Sequence, residues 1–215
     1  MLIKHNLFAE IQKFIDWADS NYDLPHDEIG YEWECDYPEW QSIYDAFVQF
    51  IRDTEAYEWS NEEQEKLLYI IARDNESEFI SENLPEDALL KLTQTAVIKA
   101  PDDAKWQLII QLHRLQDKKA AFSYLEIFIT DPHEYVVRRT LMEMAKMKHP
   151  RTEEYCQKLW DKNTYGEMEE YQRIAILFSL HEIKSERLLY YLEQAKTGGG
   201  KYLVNAALKI KAEIS

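Results

Sequence analysis

Apolar residues recur along this chain at intervals of three and four, with no sustained two-residue alternation, so the pattern predicts helices from end to end. Leu7, Ile11, Phe14, Ile15 and Ala18 share one face of a helix over residues 6–19, with Asn6 in the capping position. A second helix over 39–56 carries Trp40, Ile43, Tyr44, Phe47, Phe50 and Ile51 inward, with Pro38 suited to its first turn. Ser60 or Asn61 as a cap, followed by Glu62, Glu63 and Glu65, marks the start of a third, whose Leu67, Leu68, Ile70 and Ile71 make an almost wholly apolar turn. Short helices follow over 77–82 and 85–98, and the break at Ala100-Pro101-Asp102-Asp103 precedes another over 104–115.

The organising stretch is 120–150. Phe122, Leu125, Phe128 and Ile129 line one helix, and Val137, Leu141, Met144 and Ala145 line the next. Between them Pro132 pushes Asp131 out of helical geometry, ending the first helix and leaving Asp131 able to cap the second. Superposing Arg138 on Lys105, Arg173 and Asn205 aligns four inner-helix candidates at spacings of 33, 35 and 32. Their partners would be helices over 86–98, 119–129, 151–162 and 186–196. Gly198, Gly199 and Gly200 would turn the chain into a final helix over 201–214. Such spacings suit stacked helical hairpins, because no single hairpin can bury its own apolar face.

The turn Asp131-Pro132 followed by Val137-Arg138 resembles the HEAT-repeat family, although the Val-Arg pair comes one residue later than in that family's commonest pattern. The resemblance implies an all-α fold, a right-handed α-α superhelix of hairpins, here with a divergent N-terminal acidic and aromatic segment. It leaves function open. Residues 1–60 form that segment and 61–215 the repeats, and the two are expected to make one continuous domain.

Charge sharpens the division. The chain has 40 Asp/Glu and 25 Lys/Arg, a formal charge of −15. Residues 1–60 hold 14 of the acids and 3 of the bases. Residues 16–40 contain nine acids, six aromatics and neither Lys nor Arg. A disordered acidic tail would lack those rings, so the segment is expected to be an ordered loop pinned by aromatic anchors. The negative balance opposes binding to nucleic acid or to an anionic membrane. No apolar run has the length of a membrane span and the first residues lack a signal-peptide core, so a cytoplasmic protein is expected.

Chemical motifs are sparse. Gly198 to Gly200 before Lys201 lacks P-loop spacing, and His5, His26, His113, His133, His149 and His181 show no HxxxH pattern. Cys35 and Cys156 are far apart and are expected as reduced thiols, Cys156 buried and Cys35 made less acidic by its carboxylate neighbours. The acids of 23–39 could suit a hard cation, but they lack the Asp-x-Asp-x-Asp-Gly pattern, and a solvated acidic face is the simpler reading. No cofactor or metal is therefore implied, and no catalytic residue is assigned.

The expectation is a non-catalytic scaffold that engages a basic protein. Asp23, Asp27, Glu28, Tyr31, Glu32, Trp33, Glu34, Asp36, Tyr37 and Glu39 are its partner-binding residues. Small acidic proteins without catalytic motifs include immunity proteins that neutralise a basic toxin, and the profile resembles that class. The competing structural expectation is that the rings between Trp17 and Trp40 only close one end of the fold. The alternative function is a HEAT-like enzyme, acting on nucleic acid as a DNA glycosylase does, or on a small molecule.

Overall fold

A computed structural model describes residues 4–23, 25–26, 29, 32–162 and 165–214. Among these residues there are twelve α-helices and no strand, so the fold is all-α. None of the helices is long and apolar enough to cross a membrane. The chain divides into two compact units, Met1–Gln111 and Leu112–Ser215.

The first unit contains α1 (Lys4–Asn21), α2 (Trp40–Asp53), α3 (Asn61–Arg73), α4 (Phe79–Glu82), α5 (Glu86–Ile98) and α6 (Asp102–Ile109). Its central element is α3, which packs against α1, α5 and α6. The sequence explains that position: Leu67, Leu68, Ile70, Ile71 and Ala72 are all buried, and a helix apolar over most of its girth must be surrounded. A capping box fixes its start. Ser60 Oγ accepts from the Glu63 N–H at 3.2 Å, while Glu63 Oε2 accepts from the Ser60 N–H at 2.7 Å.

Several helix ends differ from the sequence expectation. Asn6 lies inside α1 and does not cap it. Trp40 opens α2, with Glu39 in the N-cap position, and Ala56 belongs to a separate 3-10 turn. Instead of continuing to residue 115, α6 ends at Ile109; the Gln111 N–H bonds to the Leu108 carbonyl, tightening the chain before a 3-10 turn at Leu112–Arg114.

The second unit consists of α7 (Lys118–Phe128), α8 (Glu134–Lys146), α9 (Thr152–Asp161), α10 (Glu169–Glu182), α11 (Leu188–Gly198) and α12 (Lys201–Ile214). They pair as three hairpins, α7 with α8, α9 with α10 and α11 with α12, while α8 packs on α10 and α10 on α12. Val137, Leu141 and Met144 of α8, Ile176, Leu177 and Leu180 of α10, and Leu203, Ala207 and Ile210 of α12 are all buried. Each hairpin thus finds in its neighbour the apolar cover it cannot supply itself.

Asp117 caps α7 by accepting from the N–H groups of Lys119 and Ala120. Asp131 does not cap α8. His133 holds the N-cap position, and Asp131 Oδ1 accepts from its N–H at 2.9 Å, closing the turn itself.

The turns after α8 and α10 repeat one another. Lys148 and Lys184 both adopt φ 57°, and the following N–H groups, of His149 and Ser185, bond back to the carbonyls of Met144 and Leu180. His149 Nδ1 and Ser185 Oγ then accept from the N–H groups of Arg151 and Arg187. Arg151 reaches Glu126 of α7 at 3.1 Å, and Arg187 reaches Glu153 of α9 at 3.2 Å. This Lys-x-x-Arg device recurs at a spacing of 36.

At the last turn the glycines supply room. A β-carbon on Gly199 would collide with the Ala195 carbonyl oxygen, whereas one on Gly200 would meet only the Glu170 carboxylate, at 2.6 Å. Glu170 Oε1 accepts from the Leu203 N–H at 2.8 Å, so the N-terminus of α12 already holds an anion from its own chain. Gly199→Ala is expected to destabilise the second unit by about 1–3 kcal/mol, since backbone must move, and Gly200→Ala by about 1 kcal/mol or less, since a flexible side chain can swing aside. Urea midpoints of the two variants would reverse in order if the backbone contact were unimportant.

Candidate functional site

The acidic segment is built on rings that face inward. Phe14 of α1 lies 5.9 Å from Trp33, 5.0 Å from Tyr37 and 5.2 Å from Trp40, centre to centre. Trp17 adds contacts to Tyr22, Trp33 and Tyr37. A short 3-10 turn, Trp33–Asp36, points Trp33 and Glu34 into this cluster, and Trp40 Nε1 donates to the Glu34 carbonyl at 2.8 Å. Ring contacts of this kind order the segment around this short 3-10 turn.

Among the described residues of the segment, Glu34 is the one carboxylate carried into the interior. It meets Arg73, at the end of α3, at 3.1 Å, both side chains being about nineteen-twentieths buried or more. The guanidinium also lies over the rings of Trp33 and Tyr69. Burial pushes the Glu34 carboxyl up, and the positive charge of Arg73 opposes that rise. The adjacent Asp74 is buried too. It accepts from the Tyr44 hydroxyl at 2.7 Å and from the Ile80 N–H at 2.8 Å, tying α2 and α4 to the end of α3. Burial raises its pKa to about 6, against the two hydrogen bonds.

These positions correct part of the expected binding surface. Trp33, Glu34 and Tyr37 are 1 %, 4 % and 5 % exposed, so they hold the segment together and do not present themselves to a partner. Asp23, Glu32, Asp36 and Glu39 are exposed. Asp27, Glu28 and Tyr31 lie outside the described residues.

The outward acids meet few cations. Asp36 accepts from the Tyr22 hydroxyl, Asp16 from Gln12 and Asp45 from Gln41, all neutral donors that bring no positive charge. Glu32 hydrogen-bonds Glu76 from the connection after α3, and this contact, with the charge of Glu32, raises the Glu76 pKa. By contrast, Lys13, Arg52, Lys66, Arg73, Lys99 and Lys105 are each paired with a carboxylate of the same unit. The boundary between units is also a boundary in charge: 25 acids and 8 bases lie in Met1–Gln111, a balance of −17, and 15 acids and 17 bases in Leu112–Ser215, a balance of +2.

Burial and the carboxylates of Glu76, Glu32, Glu34 and Asp36 push the Cys35 thiol up, and burial takes Cys156 to about 12, so neither is tuned as a nucleophile. Among the described residues no group of three or more His, Cys, Asp or Glu side chains is arranged to hold a metal. The second unit has an open cleft of about 310 Å³, lined by Gln157, Asp161, Arg187, Tyr190 and Tyr191. Arg187 is engaged there by Gln157 and by Glu153.

One arrangement in the second unit is absent from the expected site. Glu134 and Arg138 of α8, and Glu169 and Arg173 of α10, form two Glu-x-x-x-Arg pairs, their N···O distances 3.0 and 3.7 Å. Their recurrence at a spacing of 35 is the signal in the sequence that would have found them. No protein-family model, curated protein or solved structure matches this chain.

Two variants test the interior assignment. Trp33→Ala is expected to destabilise the first unit by about 3–5 kcal/mol, measured by urea unfolding, because it empties the centre of the ring cluster. A variant as stable as the parent would place Trp33 outside the core. For Asp74 the folded-state pKa is raised, so its proton linkage favours the fold below about pH 4 and loses that contribution as pH rises through about 6. Asp74→Asn, which keeps an acceptor for the Ile80 N–H, should therefore gain stability relative to the parent between pH 4 and 7, by an amount on the order of 2 kcal/mol. Parallel stability curves for the two proteins across that range would contradict the assignment.

Proposed function

We propose that this chain is a non-catalytic, HEAT-like binding protein whose first unit takes a basic protein partner on its acidic surface. The observation that carries the reading is the partition of charge: −17 in one compact unit and +2 in the other. Self-repulsion opposes concentrating like charge in one folded unit, and a complementary partner would relieve it. Exposed Asp23, Glu32, Asp36 and Glu39 stand on a segment held by buried rings, so these carboxylates are presented with little conformational freedom left to lose on binding. Long-range attraction would then speed encounter and select a positively charged partner. A toxin-neutralising immunity protein is the biological role that this chemistry fits best.

The HEAT-like part of the proposal is supported by the hairpin order of the second unit and by its repeated turns at a spacing of 36. Right-handed superhelical stacking is the geometry expected of such repeats.

The test is affinity capture of the partner from source cells, followed by a salt titration of the purified pair. Raising salt from about 50 to 500 mM shortens the screening length severalfold and is expected to weaken binding by about tenfold or more. The variant Glu32→Gln/Asp36→Asn/Glu39→Gln should bind weakly at low salt while melting at the parent temperature. An affinity indifferent both to salt and to these substitutions would reject the acidic surface as the binding site.

A further inference from the structure

The turn that recurs at a spacing of 36 serves its two arginines unequally. In the first copy Arg151 Nε and Nη2 donate to the two oxygens of Glu154 at 2.8 and 3.0 Å, and Nη1 donates to Glu126 at 3.1 Å. In the second copy the residue three positions after the arginine is Tyr190, where the first has Glu154. Arg187 keeps one carboxylate, Glu153, 3.2 Å from its Nε, and that carboxylate is shared with the Ser185 hydroxyl. Its Nη1 donates to the neutral Gln157 at 3.2 Å, and its Nη2 donates to no described residue.

Beside Arg187 the second copy has the open cleft of about 310 Å³ between α9 and α11. Two rings line it, Tyr190 62 % exposed and Tyr191 buried, meeting edge to face with their centres 5.2 Å apart. Asp161 lines it as well, exposed and paired with no described residue. Burial raises the Tyr191 pKa, Asp161 adds to the rise and Arg187 opposes it, so charges of both signs act at this ring. Lys162 next to Asp161 and Glu186 next to Arg187 are exposed and opposite in sign, so neither sign of charge dominates the rim.

We infer that this cleft binds a free α-amino acid with an aromatic or long apolar side chain, its carboxylate on Arg187, its ammonium on Asp161 and its side chain against Tyr190 and Tyr191. The first copy of the turn shows what the arginine accepts: a second carboxylate, in the plane of the guanidinium. Since Glu153 occupies the Nε side of Arg187, the incoming carboxylate takes Nη2. A plain anion on Arg187 would meet Asp161, and a plain cation on Asp161 would meet Arg187, so the pair selects a zwitterion. Helix ends act in the same sense: α11 begins at Arg187 with its positive end, and α9 finishes at Asp161 with its negative one. The volume lies at the small end of ligand pockets, as suits a single amino acid. The site belongs to the second unit and does not rest on the acidic surface of the first.

The experiment is isothermal titration calorimetry of the full chain with L-phenylalanine and L-leucine. Two analogues of phenylalanine are titrated beside them: 3-phenylpropionate, which lacks the ammonium, and 2-phenylethylamine, which lacks the carboxylate. Phenylalanine is expected to bind about tenfold or more tightly than either analogue. Tyr190→Glu gives the second copy the carboxylate of the first, and is expected to abolish binding while melting no lower than the parent by circular dichroism. Asp161→Asn removes an exposed group without a structural partner, so it should fold as the parent does. It is expected to weaken phenylalanine about fivefold or more and to narrow its advantage over 3-phenylpropionate. The inference is overturned if neither amino acid binds at concentrations up to about 10 mM, or if binding is unchanged in both variants. Equal binding of 3-phenylpropionate would overturn it in favour of a simple anion site, and equal binding of 2-phenylethylamine in favour of a simple cation site.

Discussion

The contact between Arg73 and Glu34 determines what the acidic segment can be. Residues 16–40 contain no Lys or Arg, so any carboxylate they carry inward must borrow its countercharge from elsewhere in the chain. The donor is the last residue of α3, which packs against three other helices of its unit. Removing one partner of such a buried pair leaves an isolated ion in a poorly solvating interior, commonly at about 3–5 kcal/mol. The pair therefore sets the register of the segment: once Glu34 faces α3, Trp33 goes in beside it, and Glu32 and Asp36 on either side are left in solvent. Order in the loop and exposure of its acids follow from one anchoring interaction.

The same pair shows where sequence reasoning reached its limit. Rings alternating with acids look alike whether the rings close a core or wait for a partner. The residue that decides between them stands 39 positions further on. Within helices the local pattern was enough: Val137, Leu141, Met144 and Ala145 were legible as a buried face because their spacing and their burial have one cause. The cap of α3 was legible to within one residue, Ser60 or Asn61, and the reciprocal bonds with Glu63 three residues away choose Ser60. Asp131 was not, because an aspartate can close a turn or cap a helix, and only backbone geometry chooses. The full extent of the charge partition was hidden for another reason. The change in composition after residue 60 does not coincide with a structural boundary: the compact unit continues to Gln111 and includes the acids around α3, α4 and α5.

The two units treat charge in opposite ways, although both are built from amphipathic helices. In the second unit acids serve the repeat: Glu126 and Glu153 receive the arginines that open the following helices, Glu134 and Glu169 lie beside arginines one turn on, and Glu170 caps α12. Each such carboxylate has a structural partner, and the near-zero balance of the unit is the sum of those local needs. In the first unit six of the eight bases are matched to carboxylates and a large surplus of acids remains.

That surplus is difficult to explain by folding. Exposed ion pairs add little stability, and unmatched exposed carboxylates repel one another, so a sequence selected for stability alone would have drifted toward balance, as the second unit has. Glu32 and Glu76 make the point at one place: they come from separate segments and sit close enough that Glu32 raises the Glu76 pKa, where a single lysine would have been the stabilising choice. Under the proposed function, repulsion tolerated on a framework as firmly anchored as the Trp33 cluster is binding energy held in reserve, released when an opposite charge arrives.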